Sequence, residues 1–167
     1  RCSIVLDLFQ FVSAMRTALY QCGRVAQTLQ GKVAREEKEP DSIHQTSTSV
    51  SAVDRLCQEI LLLGAHRVAP YLQVQSEEME DCPPAIRELF AANQGRYVLI
   101  LDPVDGTGDY LGDKPTYAHM LGVLDRKTAR MVCGLIYFPE RDRFYLGLRG
   151  TGAFVADGLT GGFRPLQ

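Results

Sequence analysis

Apolar residues recur at alternating steps of three and four along the first thirty positions: Val5, Leu8, Val12, Met15, Leu19, Cys22, Ala26 and Leu29. That period predicts a long amphipathic helix over about residues 4–30, stopped by Gly31 and Lys32. The stripe lasts long enough for a coiled-coil seam, but its flanks lack a clear charge pattern, so a helix laid on a sheet is the preferred reading. Residues 32–49 are polar and read as a loop, and the Ser/Thr run at its end offers several N-caps. A second helix over 51–68 carries Val53, Leu56, Cys57, Ile60, Leu61 and Leu63 as a wide apolar face. The period then falls to two. Residues 71–75 alternate as a short strand, and Pro83-Pro84 opens a short helix with Ile86, Leu89 and Phe90 inward. The unbroken apolar run 97–101 reads as a buried strand. Strands over 117–124, 129–138 and 144–148 follow, joined by turns short enough to require antiparallel neighbours. A further strand at 153–155 precedes a tail that reads as loose at 160–162 and cut off mid-element at 164–167. Helices first and strands later indicate an α+β domain: two long helices packed on a largely antiparallel sheet.

Composition narrows the class. The chain has 167 residues, enough for one domain with a substantial core. An apolar fraction of 46% and a net charge of −2 describe a soluble globular protein with no general attraction to a nucleic-acid polymer. No apolar run approaches the roughly 20 residues that span a bilayer. Asp7, Gln10 and Arg16 interrupt the N-terminal stretch, which therefore is not a signal peptide. The chain begins at Arg1, so an upstream segment is expected. The five cysteines, Cys2, Cys22, Cys57, Cys82 and Cys133, match no zinc spacing and fit free thiols in the cytoplasm, with Cys22, Cys57 and Cys133 buried. His44, His66 and His119 form no local ligand pair and read as structural or solvent residues.

The chemistry concentrates in Asp102-Pro103-Val104-Asp105-Gly106-Thr107, placed where the buried strand ends. Pro103 fixes its own φ and Gly106 permits a tight bend, so a turn here aims Asp102, the Val104 carbonyl and Asp105 at one point. Hard divalent cations take oxygen ligands of this kind. Thr107 opens a short segment whose first N–H groups attract phosphate. Cation and anion sites side by side suggest phosphoryl chemistry; an ordinary loop with surface acids is the other reading of the hexapeptide alone. Asp54, in the first turn of the second helix, offsets the helix dipole on the plainest view. Glu77 and Glu78 are adjacent surface charges taken by themselves, and candidate ligands when placed at a strand end upstream of Asp102.

These segments together resemble the inositol monophosphatase family of Mg²⁺-dependent, Li⁺-sensitive phosphatases. The resemblance rests on residues 102–107, on Val50-Ser51-Ala52-Val53-Asp54, on Ser76-Glu77-Glu78, and on the runs 134–139 and 149–154. It implies the first domain of that fold, with residues 1–167 as a single domain truncated at its C-terminus. It implies that Glu77, Asp102 and the Val104 carbonyl hold one Mg²⁺, and that Asp102 bridges to a second, which Asp105 also binds. Thr107, braced by Asp54, orients the attacking water. The N–H groups of Gly106 and Thr107 hold the phosphate, Glu78 supports the site from behind, and the loop 32–49 is a flap over it. The implied substrate is a small phosphorylated molecule such as inositol monophosphate, with a 3′(2′),5′-bisphosphate nucleotidase as the alternative, and a homodimer is plausible for the family. Two departures stand out. Ser76 replaces the family's usual Gly. The chain also contains no Trp, whereas the family carries a further metal-ligating carboxylate in a downstream Trp-Asp motif. The latter opens a reading of another class, a non-catalytic module that binds a cation and an anion or serves in oligomerisation.

Overall fold

The structure, a computed structural model, describes residues 5–33, 36–37, 49–50, 52–76 and 78–167. Helix α1, Leu8–Leu29, begins where the Asp7 carboxylate accepts the Gln10 N–H at 3.0 Å. It ends where the Gln30 N–H bonds the Ala26 carbonyl and Gly31 turns to φ +72°. The expected stripe forms its buried face from Val12 to Ala26, widened by Phe11 and Ala18. Val5 precedes the helix and is exposed.

Two short strands, β1 Glu36–Glu37 and β2 Ser49–Val50, pair antiparallel, so part of the expected loop is a hairpin base; residues 38–48 lie outside the described set. The backbone of β2 runs beside α4 (Thr107–Leu111). Helix α2, Ala52–Val68, differs from its sequence reading in the face it buries. Leu56 and Leu63 are exposed, and Val53, Cys57, Leu61, Leu62 and Ala65 form the apolar contact. The true face follows steps of four from Val53, and it carries two polar residues inward, Asp54 and Gln58.

Strand β3, Gln73–Ser76, crosses over through helix α3, Pro84–Ala91, to strand β4, Tyr97–Asp105. Strands β5 (Ala118–Asp125), β6 (Arg130–Phe138), β7 (Arg143–Leu148), β8 (Gly152–Asp157) and β9 (Arg164–Pro165) complete a seven-stranded sheet in simple sequence order. Among the described residues of this sheet only β3 and β4 are parallel; every other pairing is antiparallel. A 3₁₀ turn, Pro139–Arg141, links β6 to β7.

Helix α1 lies on β5 and β6, and α2 lies on β4, so both helices cover one face. Gly23 sets the approach: a Cβ there would lie 2.4 Å from the Tyr137 ring. Phe11, Met15 and Leu19 are fully buried in this layer, each contributing roughly 1.5–3 kcal/mol of hydrophobic stabilisation. The opposite face presents an open apolar trough lined by Ile100, Met120, Ile136, Tyr145 and Phe154.

The C-terminal segment corrects the expectation of a loose tail. Arg164 and Pro165 pair with β8 as an edge strand. The Arg16 guanidinium donates to the Gly161 carbonyl at 2.7 Å and to the Gly158 carbonyl, and lies over the rings of Phe144 and Phe163. One helix side chain thus ties residues 158–163 to the domain. At the sheet's other end Arg96 forms a fork on Asp125, whose carboxyl this pairing holds well below the usual carboxylate range.

Candidate active site

The acidic motif is the irregular end of β4 rather than a turn after it. Asp102 pairs with Met120 and Asp105 with Ala118, so Pro103 and Val104 together oppose one residue, His119. This two-against-one arrangement is a β-bulge, which bends the strand and re-aims its side chains. Pro103 is tolerated there because a bulge does not use the N–H that proline lacks. Gly106 follows at φ +87°, and a Cβ on it would lie 2.8 Å from the Thr116 carbonyl oxygen. Both conformation and space demand glycine. Helix α4 starts immediately, with the N–H groups of Asp109 and Tyr110 bonded back to the Gly106 carbonyl. Tyr110 anchors the turn to α1 through its buried hydroxyl, which donates to the Ala26 carbonyl at 2.9 Å; burial pushes that phenol up to about 12. Asp109 clips the loop that follows. It accepts from Thr116 at 2.7 Å and Lys114 at 3.1 Å, and these bonds, the Thr116 one foremost, hold its carboxyl below the ordinary value.

Helix α2 brings the remaining groups. The Thr107 hydroxyl lies 2.9 Å from Asp54 Oδ1 and 2.8 Å from the Val104 carbonyl oxygen. Both neighbours are acceptors, so one hydroxyl proton serves two of them. Asp54 is only 3% exposed despite its place in the first turn of α2. One helical turn on, the buried Gln58 donates to the Glu78 carbonyl at 2.6 Å and accepts from the Ser76 hydroxyl. A single helix face therefore reaches both the bulge loop and the segment that brackets position 77.

The residues singled out from the sequence fall into place as follows. Asp54, Val104 and Thr107 are joined by direct hydrogen bonds. Asp102 is half-buried and Asp105 exposed, at either end of the bulge. Gly106 is the left-handed entry to α4 and Thr107 its first residue. Glu78 is buried. Glu77 and Ser51 lie outside the described residues, as do Cys2 and His44. Cys22, Cys57 and Cys133 are buried thiols as expected, and so is Cys82. Sequence reasoning did not single out Gln58, and it read His119 as structural or solvent; the structure buries both. An inward Gln four residues after Asp54, and a His at alternating register opposite the Pro of the motif, were the available signals.

The donor set fits a hard cation: two carboxylates and a main-chain carbonyl, all oxygen, at one strand end. The described residues alone hold no group of three His, Cys, Asp or Glu side chains placed to bind a metal; the expected set includes Glu77, outside them.

Comparison with known proteins assigns the family. Residues 10–166 match the inositol monophosphatase family, and the chain belongs to it. It is 32% identical over 108 residues to a putative Nus factor SuhB of Neisseria meningitidis serogroup B, covering 65% of this chain and 38% of that protein. It is 28% identical over 150 residues to a fructose-1,6-bisphosphatase/inositol-1-monophosphatase of Aquifex aeolicus, covering 89% of this chain and 51% of the relative. The crystal structure of the extragenic suppressor protein SuhB from Bartonella henselae superposes with a TM-score of 0.69 at 25% identity, covering 88% of this chain and 52% of that one. The chain thus spans between about two fifths and one half of the length of these relatives.

Proposed function

We infer that the protein is a Mg²⁺-dependent phosphomonoester hydrolase acting on a small phosphorylated substrate. The observation that carries this reading is the Thr107 hydroxyl held between Asp54 and the Val104 carbonyl, at the end of the strand that bears Asp102 and Asp105. Glu77, Asp102, the Val104 carbonyl and Asp105 would hold Mg²⁺. The ions, when bound, lower the pKa of a ligated water and neutralise charge on the phosphoryl oxygens.

The chain's own groups do the rest. The Thr107 hydroxyl accepts a hydrogen bond from the attacking water and passes its own proton toward Asp54. The Val104 carbonyl, the hydroxyl's other acceptor neighbour, gives up that bond while the proton is directed at Asp54 and keeps its lone pairs, one of them for a cation. The N–H groups of Gly106 and Thr107 face the phosphate oxygens, and Glu78 supports the ligand segment from the buried side. Gln58 holds that segment to α2 through Ser76 and the Glu78 carbonyl. Thus the hydroxyl at Ser76, where the family has glycine, has a partner of its own.

An inositol monophosphate is the first substrate to test, and 3′-phosphoadenosine 5′-phosphate the second. Fructose 1,6-bisphosphate belongs beside them because the Aquifex relative bears both names. Phosphate release from this panel, with Mg²⁺, with a chelator and with added Li⁺, tests the reading. Release that needs Mg²⁺ and falls with Li⁺ supports it; silence on every substrate favours the non-catalytic module, for which the open apolar trough is the supporting observation.

A further inference from the structure

His119 sits on β5 as the single residue opposite the two-residue bulge of the acidic loop. It is fully buried. Its ring lies edge-on to Tyr117 at 5.8 Å and stacks on Tyr137 at 6.5 Å, so aromatic neighbours fix its plane. Nδ1 lies 2.5 Å from the Pro103 carbonyl oxygen. A carbonyl only accepts, so Nδ1 carries the proton. Burial draws the imidazole down to about 4, which leaves it neutral at ordinary pH with Nε2 bare. Among the described residues Nε2 has no hydrogen-bond partner, consistent with that tautomer inside an aromatic wall.

The position matters for the loop. A bulge leaves its extra residue outside the ladder, and a buried carbonyl without a donor is destabilising. Here the side chain of the opposing residue supplies a donor. The Pro103 carbonyl lies in the Pro103–Val104 peptide, between the residue that bears the Asp102 carboxylate and the Val104 carbonyl; with φ of Pro103 already set by its ring, fixing this plane sets ψ of Pro103 and so restricts how its two neighbours are aimed.

We propose that His119 is a positioning residue: its Nδ1–H···O=C bond to Pro103 locks the bulge in the conformation that points Asp102 and the Val104 carbonyl at one cation. This rests on the metal-binding reading of the loop given above. His119 touches neither cation nor substrate in this role; it acts through Pro103.

The test is divalent-ion binding by the intact protein, with Mn²⁺ followed by electron paramagnetic resonance. His119→Leu fills the site without a donor, and His119→Asn returns an N–H close to where Nδ1 stood. The expectation is about 10-fold weaker Mn²⁺ binding for His119→Leu and recovery to within about threefold of the wild type for His119→Asn. Asp102→Asn is the reference and should remove the site. Unchanged binding in His119→Leu with loss in Asp102→Asn overturns this proposal and leaves the phosphatase reading standing. Unchanged binding in Asp102→Asn overturns both. Equal weakening in the Leu and Asn variants also overturns it, since the ring would then matter for shape alone. Should His119→Leu fail to fold, the wild-type protein still decides. ¹⁵N resonances must show Nδ1 protonated and Nε2 bare, with the Nδ1–H signal shifting on Mg²⁺ addition; a ring protonated at Nε2 overturns the proposal.

Discussion

Thr107→Val is the sharpest probe of the geometry at the site. Valine keeps the β-branched shape at the start of α4 and removes only the hydroxyl. The loss falls on Asp54, a carboxylate that is 3% exposed and sits 2.9 Å from that hydroxyl. A hydrogen bond to a charged group contributes about 1.5–3 kcal/mol, and withdrawing a donor from a buried carboxylate lies toward the upper end. Asp54→Asn keeps an acceptor at the same place but removes the charge, which lowers the same bond to about 0.5–1.5 kcal/mol. The two changes therefore do not add. Urea denaturation of wild type, both single variants and the double variant should return a coupling of about 1 kcal/mol. Turnover should show the same dependence: each single change lowers kcat by about 10²–10⁴, and the double variant is scarcely worse than either. A Thr107→Val protein within about 0.5 kcal/mol of wild type, or effects that add fully, would refute the claim that this pair acts as one unit.

Other consequences follow from neighbouring residues. Gly106→Ala combines a left-handed φ with a Cβ 2.8 Å from the Thr116 oxygen; the expectation is a loss of about 1–3 kcal/mol in urea unfolding together with weakened turnover. Gln58→Leu removes the acceptor of the Ser76 hydroxyl and one of two donors to the Glu78 carbonyl, which keeps the Asp81 N–H, so stability should fall by about 1–3 kcal/mol and Mg²⁺ affinity should fall with it, read by calorimetry. The Arg96–Asp125 fork predicts a pH effect with a definite sign. The folded carboxyl is depressed, so its contribution is complete above the unfolded value of about 4 and is lost as pH falls below it toward the folded value. Asp125→Asn should flatten the acid limb of a melting-temperature profile and leave the slope between pH 6 and 8, values chosen well above any carboxylate, unchanged.

Much of the architecture was legible because burial leaves a period. The step of three and four from Val12 to Ala26 marked α1, and alternation with short turns marked the antiparallel strands. The acidic loop was legible as a bend because proline and glycine coincide there with two aspartates at the end of an apolar strand. What escaped was set by partners distant in sequence. The bulge at Pro103-Val104 is a property of the register with β5, so residues 102–105 read as a turn although they continue a strand. The face of α2 was misjudged because apolarity was used as the sign of burial. Leu56 and Leu63 are exposed, while Asp54 and Gln58 are buried because hydrogen-bond partners await them on the Asp102 loop and the Ser76 segment. The tail looked loose for a similar reason: the Arg16 guanidinium that holds it lies more than 140 positions earlier. Tertiary hydrogen bonds have no sequence period, and each of these misses involves one.

The central claim is that the loop at residues 102–107 binds the cation on which phosphate release depends. The most direct measurement is the rate of phosphate release by wild type and by Asp102→Asn, across a Mg²⁺ titration on whichever substrate of the panel is hydrolysed. The account predicts saturable, Mg²⁺-dependent release by the wild type and near-total loss in Asp102→Asn, with the folded state intact by circular dichroism. An Asp102→Asn protein that turns over at the wild-type rate with the same Mg²⁺ dependence would contradict it.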